Sequence, residues 1–413
     1  MDPNDATKKT VWAAGVDGGL WKTTDISATS PNWTPNNDFF ANMAITCIAY
    51  DSTNNDTMYF GTGEGWYNLD AVKGFGVWRS VDQGANWSQL SSTYGSSFNY
   101  INKVIVHPSN HKIYLATKNG IFLSSNAGNT FTVIGYTGKN VSDIEIGSTG
   151  RIHIGIGDYS TTREYHYTDN DGTTWDPTAP NFNTVVTSGN RVELAIAPNN
   201  SATIYALVGT TGAIKGIYKS TNGGISWVAT ASTTWYDQSC ASSSTDFTRG
   251  QSWYDLAIAV NPTDENNVII GGVDLFKTTN GGASWTQLTS WWGGCSRQNV
   301  HADQHIVYYE PGSSTVAYFG NDGGVWRTTT ATATTPAISS KNTNYNVTQF
   351  YACAIHPTSG SNSYLAGAQD NGTQRFSSAG MNATTNASGG DGAFTFIDQV
   401  NPAYQITSYI NNN

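Results

Sequence analysis

Six carboxylates recur at one point of a repeating pattern in this 413-residue chain. They are Asp17, Glu64, Asp158, Asp274, Asp322 and Asp370, each in or beside a Gly-containing turn such as Gly61-Thr62-Gly63-Glu64-Gly65 or Gly320-Asn321-Asp322-Gly323. Two further acidic segments, His301-Ala302-Asp303-Gln304-His305 and Gly389-Gly390-Asp391, stand just before apolar runs. Two carboxyl groups held about 5–10 Å apart, one protonated and one ionised, can cleave a glycosidic bond. A larger set can instead hold a hard cation such as Ca²⁺ through its oxygens. Asp before Gly is also ordinary turn chemistry, so a purely structural reading stands beside both. His301, Asp303 and His305 alternate, so on a strand all three would face one side. They would serve there as ligands to a Zn-like ion or as a hydrogen-bonded polar lining. No metal-ligand set is assigned.

The elements that must position these groups are visible as a repeat. Ser80-x-Asp82-x-Gly84-x-x-Trp87 is followed by the same Ser/Thr-x-Asp/Asn-x-Gly-x-x-Trp/Phe pattern beginning at Ser124, Thr168, Ser220 and Thr278. The steps are 44, 44, 52 and 58 residues. Short strands with turn signals at a period of roughly 40–50 residues predict propeller blades. Gly supplies the positive φ of a tight turn, and the Asp, Asn, Ser and Thr side chains bond its N–H groups. The aromatic residue three positions on is large enough to seal neighbouring blades. The boxes lie between strands three and four. The carboxylates lie between strands two and three, which antiparallel pairing puts at the opposite end, where propellers bind ligands.

The pattern resembles the Asp-box, or BNR, repeat of sialidases, xyloglucan-degrading glycoside hydrolases and the sortilin luminal domain. Val16-Asp17-Gly18-Gly19-Leu20-Trp21 is similar to the segment of the xyloglucanase family that holds its catalytic base, and Asn321-Asp322-Gly323-Gly324-Val325-Trp326 matches it equally. The resemblance thus implies Asp17 and Asp322 as catalytic candidates and a secreted glycoside hydrolase of the xyloglucanase type. The alternative is a non-catalytic propeller that binds glycan or protein at the cell surface. Glu64, Trp66, Tyr67, His301, Asp303, His305, Asp370 and Asp391 are the candidate ligand-binding residues, because sugars stack on aromatic faces and bond to polar rims. A sialidase would need an arginine triad. Arg79 and Arg327 instead sit beside boxes, and no Arg-Ile-Pro segment opens the chain.

Composition bounds the rest. Lys and Arg number 20 against 30 Asp and Glu, and the net charge of −10 argues against nucleic acid and anionic membrane surfaces as partners. No run of 18 apolar residues predicts membrane insertion. Met1-Asp2-Pro3-Asn4-Asp5 reads like the end of an inner strand cut in half, as in a piece of a longer secreted protein. Cys240 and Cys295 flank one repeat in Ser- and Gly-rich loops and form a plausible disulfide, whereas Cys47 and Cys353 sit in apolar strands and read as buried thiols. The expected fold is an all-β propeller of Asp-box blades. Residues 1–345 supply about seven of them. Residues 346–413 either close an eight-blade ring or start a second propeller.

Overall fold

The computed structural model describes residues 1–66, 71–158, 162–380 and 384–409. It is an all-β propeller, and the chain divides into two compact units, Met1–Thr343 and Asn344–Asn413. Among the described residues, the first unit holds seven antiparallel sheets in chain order, with an added hairpin (Trp235–Tyr236 with Ser242–Ser244) after the fifth. Most have four strands, as in Ile45–Tyr50, Met58–Thr62, Val77–Ser80 and Ser88–Gln89. The inner strands Ile45–Tyr50, Ile101–Val106, Val141–Ile146, Arg191–Ala197, Ala257–Asn261 and Gln304–Tyr309 pack side by side in that order.

The first sheet has three strands, and its leading strand, Val11–Gly15, packs on Ile45–Tyr50. The Asp17 turn follows that leading strand, whereas in complete sheets the equivalent turn follows the second. The seventh sheet bonds back to the first. Trp33 Nε1 donates to the Lys341 carbonyl (2.6 Å), Lys341 Nζ to that of Ala28 (2.7 Å) and Lys8 Nζ to that of Pro311 (2.6 Å).

Packing on both faces explains why the second strands are nearly continuous apolar runs. Every residue of Met58–Thr62, Ile113–Thr117 and Ile152–Gly157 is buried. Each buried Ile or Leu there contributes roughly 1.5–3 kcal/mol. In the fourth repeat a short helix, Phe182–Val185, follows the box where other repeats have a fourth strand, and Phe182 fills the interface with Trp227 and Tyr165.

The five Ser/Thr-x-Asp/Asn-x-Gly turns share one bonding pattern. The hydroxyls of Ser80, Ser124, Thr168, Ser220 and Thr278 accept the Gly N–H four residues on at 2.9–3.0 Å. They also donate to the Asp or Asn side chain two residues on. The glycines have a second role. A Cβ on Gly224 (φ 87°) would stand 1.6 Å from the Tyr165 hydroxyl of the preceding sheet, and one on Gly84 (φ 80°) 2.6 Å from Trp12.

The second unit contains a four-stranded sheet, Ala352–Ile355 through Thr384–Ser388, and a two-stranded one, Gly392–Ile397 with Gln405–Tyr409. Cys47 is half-buried and Cys353 is exposed, which corrects the expectation of two buried thiols. Cys353 and Ile355 are the exposed alternate positions of the strand Ala352–Ile355, whose other two residues are half-buried.

Cys240 and Cys295 form a disulfide with Cα atoms 5.4 Å apart across 55 residues. Replacing both with Ser should lower stability by about 3–4 kcal/mol, read in urea unfolding against the oxidised parent. Ser220→Ala should cost about 1–3 kcal/mol in the same assay, because the buried Gly224 N–H then has no acceptor.

Candidate functional site

In the first unit, the turns between second and third strands and the segments leading into the inner strands share one end. Arg191, first residue of the fifth inner strand, organises that end. Its Nη1 donates to the carbonyls of Trp253 (3.1 Å) and Tyr254 (2.7 Å), and Nη2 donates to Leu256 O (3.4 Å) and Glu193 (3.2 Å). The Trp66 ring caps the guanidinium at 3.8 Å, a cation–π contact. The backbone on both sides of Asp255 is therefore pinned.

Pinning residues 253–256 aims two side chains. The Tyr254 hydroxyl reaches both carboxylate oxygens of Asp322, at 3.1 and 3.2 Å. His305 Nε2 lies 2.7 Å from Asp322 Oδ1, with its ring edge-on to Tyr254. Asp303 and Asp322 have oxygens within 4.8 Å of one another, and Gln251 donates to Asp303 at 3.0 Å. Asp255 is wholly buried, and neither of its oxygens has a hydrogen-bond partner on another described residue.

Burial is the main force on these groups. It raises Asp255 well above the usual carboxylate range, and the charges of Asp303 and Asp322 push the same way. Burial also raises Asp303, aided by Asp322 and opposed by His305. Below the mouth, burial, aided by Asp143, lifts Glu193 to about 8 against the pull of Arg191. Lys103 reaches Asp143 (2.7 Å) and Glu145 (2.5 Å), and that paired attraction outweighs burial and keeps the ammonium charged. Asp303 and Asp322 form an asymmetric carboxyl pair, one half biased towards the acid and the other oriented by a phenol and an imidazole.

The sequence candidates separate accordingly. Asp322, Asp303 and His305 come together. Glu64 is buried, and its charge acts on Tyr254 from the second sheet. Trp66 is half-buried with one face held by Arg191, so it is a packing element of the mouth. Tyr67 lies outside the described residues. The expected one-sided row of His301, Asp303 and His305 does not form. Asp303 adopts φ 62° and the strand begins only at Gln304, so strand alternation does not apply; His301 turns towards Gly323. Asp17 sits half-buried in its turn at φ 62°.

Asp274 is buried in an ion pair with Arg249 (2.6 Å) and raised to about 6, chiefly by burial. Asp158 accepts the Thr162 N–H at 3.1 Å. Asp370 and Asp391 belong to the second unit, where the Asp370 N–H donates to Asp391 at 3.0 Å. Trp253-Tyr254 is legible in the sequence as an aromatic pair in a long loop, a candidate sugar-stacking surface, whereas Arg191, Glu193 and Asp255 were not singled out. Charged residues inside otherwise apolar inner strands, Arg191-Val192-Glu193-Leu194 and Asn102-Lys103-Val104, were the available signal.

Glu193 sets a pH dependence. Its folded value of about 8 lies above the ordinary 4.5, so the folded state keeps a proton that the unfolded chain has lost between those limits. Its contribution is fully present below about pH 4.5 and is lost as pH rises towards 8. Asp255 acts in the same direction. Melting temperature should fall from about pH 5 to 8, and Glu193→Gln should flatten that slope.

No family model matches the chain, and no curated protein matches it. Among solved structures, the GH74 enzyme of Niastella koreensis superposes with a TM-score of 0.59 at 16% identity, covering 98% of this chain and 68% of that one. YCF48 bound to D1 peptide superposes at 0.50 with 14% identity, covering 78% and 89%. Both likenesses establish the propeller fold.

Proposed function

We propose that the chain is an extracellular, carbohydrate-active propeller whose first unit is a seven-blade ring, and that its mouth hydrolyses a glycan. The carrying observation is the Asp303–Asp322 pair, with oxygens within 4.8 Å. A pair that close suits the short carboxyl separation, roughly 5–5.5 Å, of glycosidases that retain configuration. Asp303, whose acid form is favoured by burial and by the charge of Asp322, is the general acid. Asp322, oriented by Tyr254 and His305, is the nucleophile or base. The solved GH74 structure supports the reading through shared architecture. The Cys240–Cys295 disulfide suits an oxidising compartment.

Asp303→Asn and Asp322→Asn should each lower kcat at least about a hundredfold on a responsive polysaccharide, xyloglucan and other β-glucans being tried first, with unchanged melting temperature. Asp17→Asn should leave the rate within about threefold, since Asn tolerates the left-handed turn. If Asp17→Asn abolishes turnover and Asp303→Asn does not, the acid–base assignment is wrong. A parent that binds glycans without cleaving them is a binding propeller.

A further inference from the structure

We propose that the mouth of the first unit selects a cationic glycan, an amino sugar with a free ammonium, and that Asp255 is the buried countercharge that distinguishes it from a neutral sugar. The inference rests on the mouth being a glycan site and adds the class of glycan.

The strong cations of this end already have partners. Lys103 is held by Asp143 and Glu145, Arg191 by three backbone carbonyls and the Glu193 carboxyl, and Arg249 by Asp274. Among the described residues, Asp255, Asp303 and Asp322 remain without a guanidinium or ammonium bonded to them, Asp322 meeting His305, and the more distant charges of Arg191 and Arg249 offset part of the repulsion on Asp255. Acidic groups in a cluster are commonplace on surfaces, but Asp255 is not on the surface. It is wholly buried, both its oxygens lack a partner on another described residue, and its field is felt alongside those of Asp303 and Asp322. A buried carboxyl without partners is costly, at roughly 1–3 kcal/mol or more. An arriving ammonium offers three donors and a full charge.

An N-acetylated amine has a single N–H and no charge. An acidic sugar would meet like charges. Tyr254 precedes Asp255 in the chain and bonds Asp322, and with the Trp253 ring 5.4 Å away it supplies the aromatic surface that either an ammonium or a sugar ring prefers. Because burial favours the acid form of Asp255 in the free protein, binding a cation beside it should favour release of that proton.

The test is titration calorimetry on the whole chain with three β-1,4-linked tetramers of glucosamine, N-acetylglucosamine and glucose. Measurements at about pH 6 in two buffers of different ionisation enthalpy count the protons released. The glucosamine tetramer should bind at least about tenfold tighter than the other two, weaken as salt is added and release protons. Asp255→Asn should bring the three within about twofold of one another. Should that variant not fold, the preference, the salt dependence and the proton count of the parent decide alone.

Equal affinity for the three tetramers, or a preference that survives in Asp255→Asn, overturns the proposal. So does binding of calcium chloride alone that Asp255→Asn abolishes without any preference among tetramers, which would make the cation a metal. Failure to bind any tetramer, with a neutral polysaccharide still cleaved, overturns this inference and leaves the hydrolytic reading standing.

Discussion

Neighbouring sheets of the first unit approach so closely that particular positions admit no side chain. Gly224 lies under Tyr165 and Gly84 under Trp12. Both have left-handed φ, so the same residue is demanded once by backbone conformation and again by space. The hydroxyl four residues earlier satisfies the amide that this approach buries. One end of each of these sheets is therefore committed to holding the stack together. Chemistry is left to the other end, whose turns are free to carry charge.

That free end has its own constraint. The inner strands converge there, and charged residues among them cannot all stay solvated. Arg191 resolves part of this by bonding three backbone carbonyls, one carboxylate and one aromatic face. A guanidinium suits the role because its donors form a planar fork and its charge does not titrate. The consequence reaches Asp322 indirectly: the clamp fixes the Tyr254 backbone, and the Tyr254 hydroxyl then meets the carboxylate. Rigidity of the mouth is thus inherited from a residue that touches neither Asp303 nor Asp322 in any described hydrogen bond.

This division explains what could be read from the residues alone. The boxes were legible because their chemistry is local: a hydroxyl, an amide and a glycine within five positions define the turn regardless of what surrounds it. The general position of Asp322 was legible for the same reason. The partnership of Asp322 with Tyr254, 68 residues away, was not, since only the ring geometry brings the fifth-to-sixth connection over the seventh sheet. The alternation argument failed at His301-Ala302-Asp303 because it presumes an extended backbone, and φ 62° at Asp303 removes that premise. Asp274 shared the register of Asp322 yet became a buried ion pair, because Arg249 reaches it from a loop that other repeats lack.

The groups least favourable to folding are the informative ones. Glu193 has one oxygen without a partner and Asp255 has two, and each is held out of its usual titration range by burial. Replacing such carboxyls by apolar residues of similar size is commonly neutral or stabilising. The two differ in what surrounds them. Glu193 has Arg191 as a partner and reads as part of the clamp. Asp255 has no such bonded partner; the charges of Asp303 and Asp322 push against its ionisation, and those of Arg191 and Arg249 act on it only from a distance. A clamp needs the first and has no use for the second. On the proposed reading, Asp303 and Asp322 meet the ligand with Asp255 buried behind them, and Arg191 and Glu193 are the frame that keeps them in position.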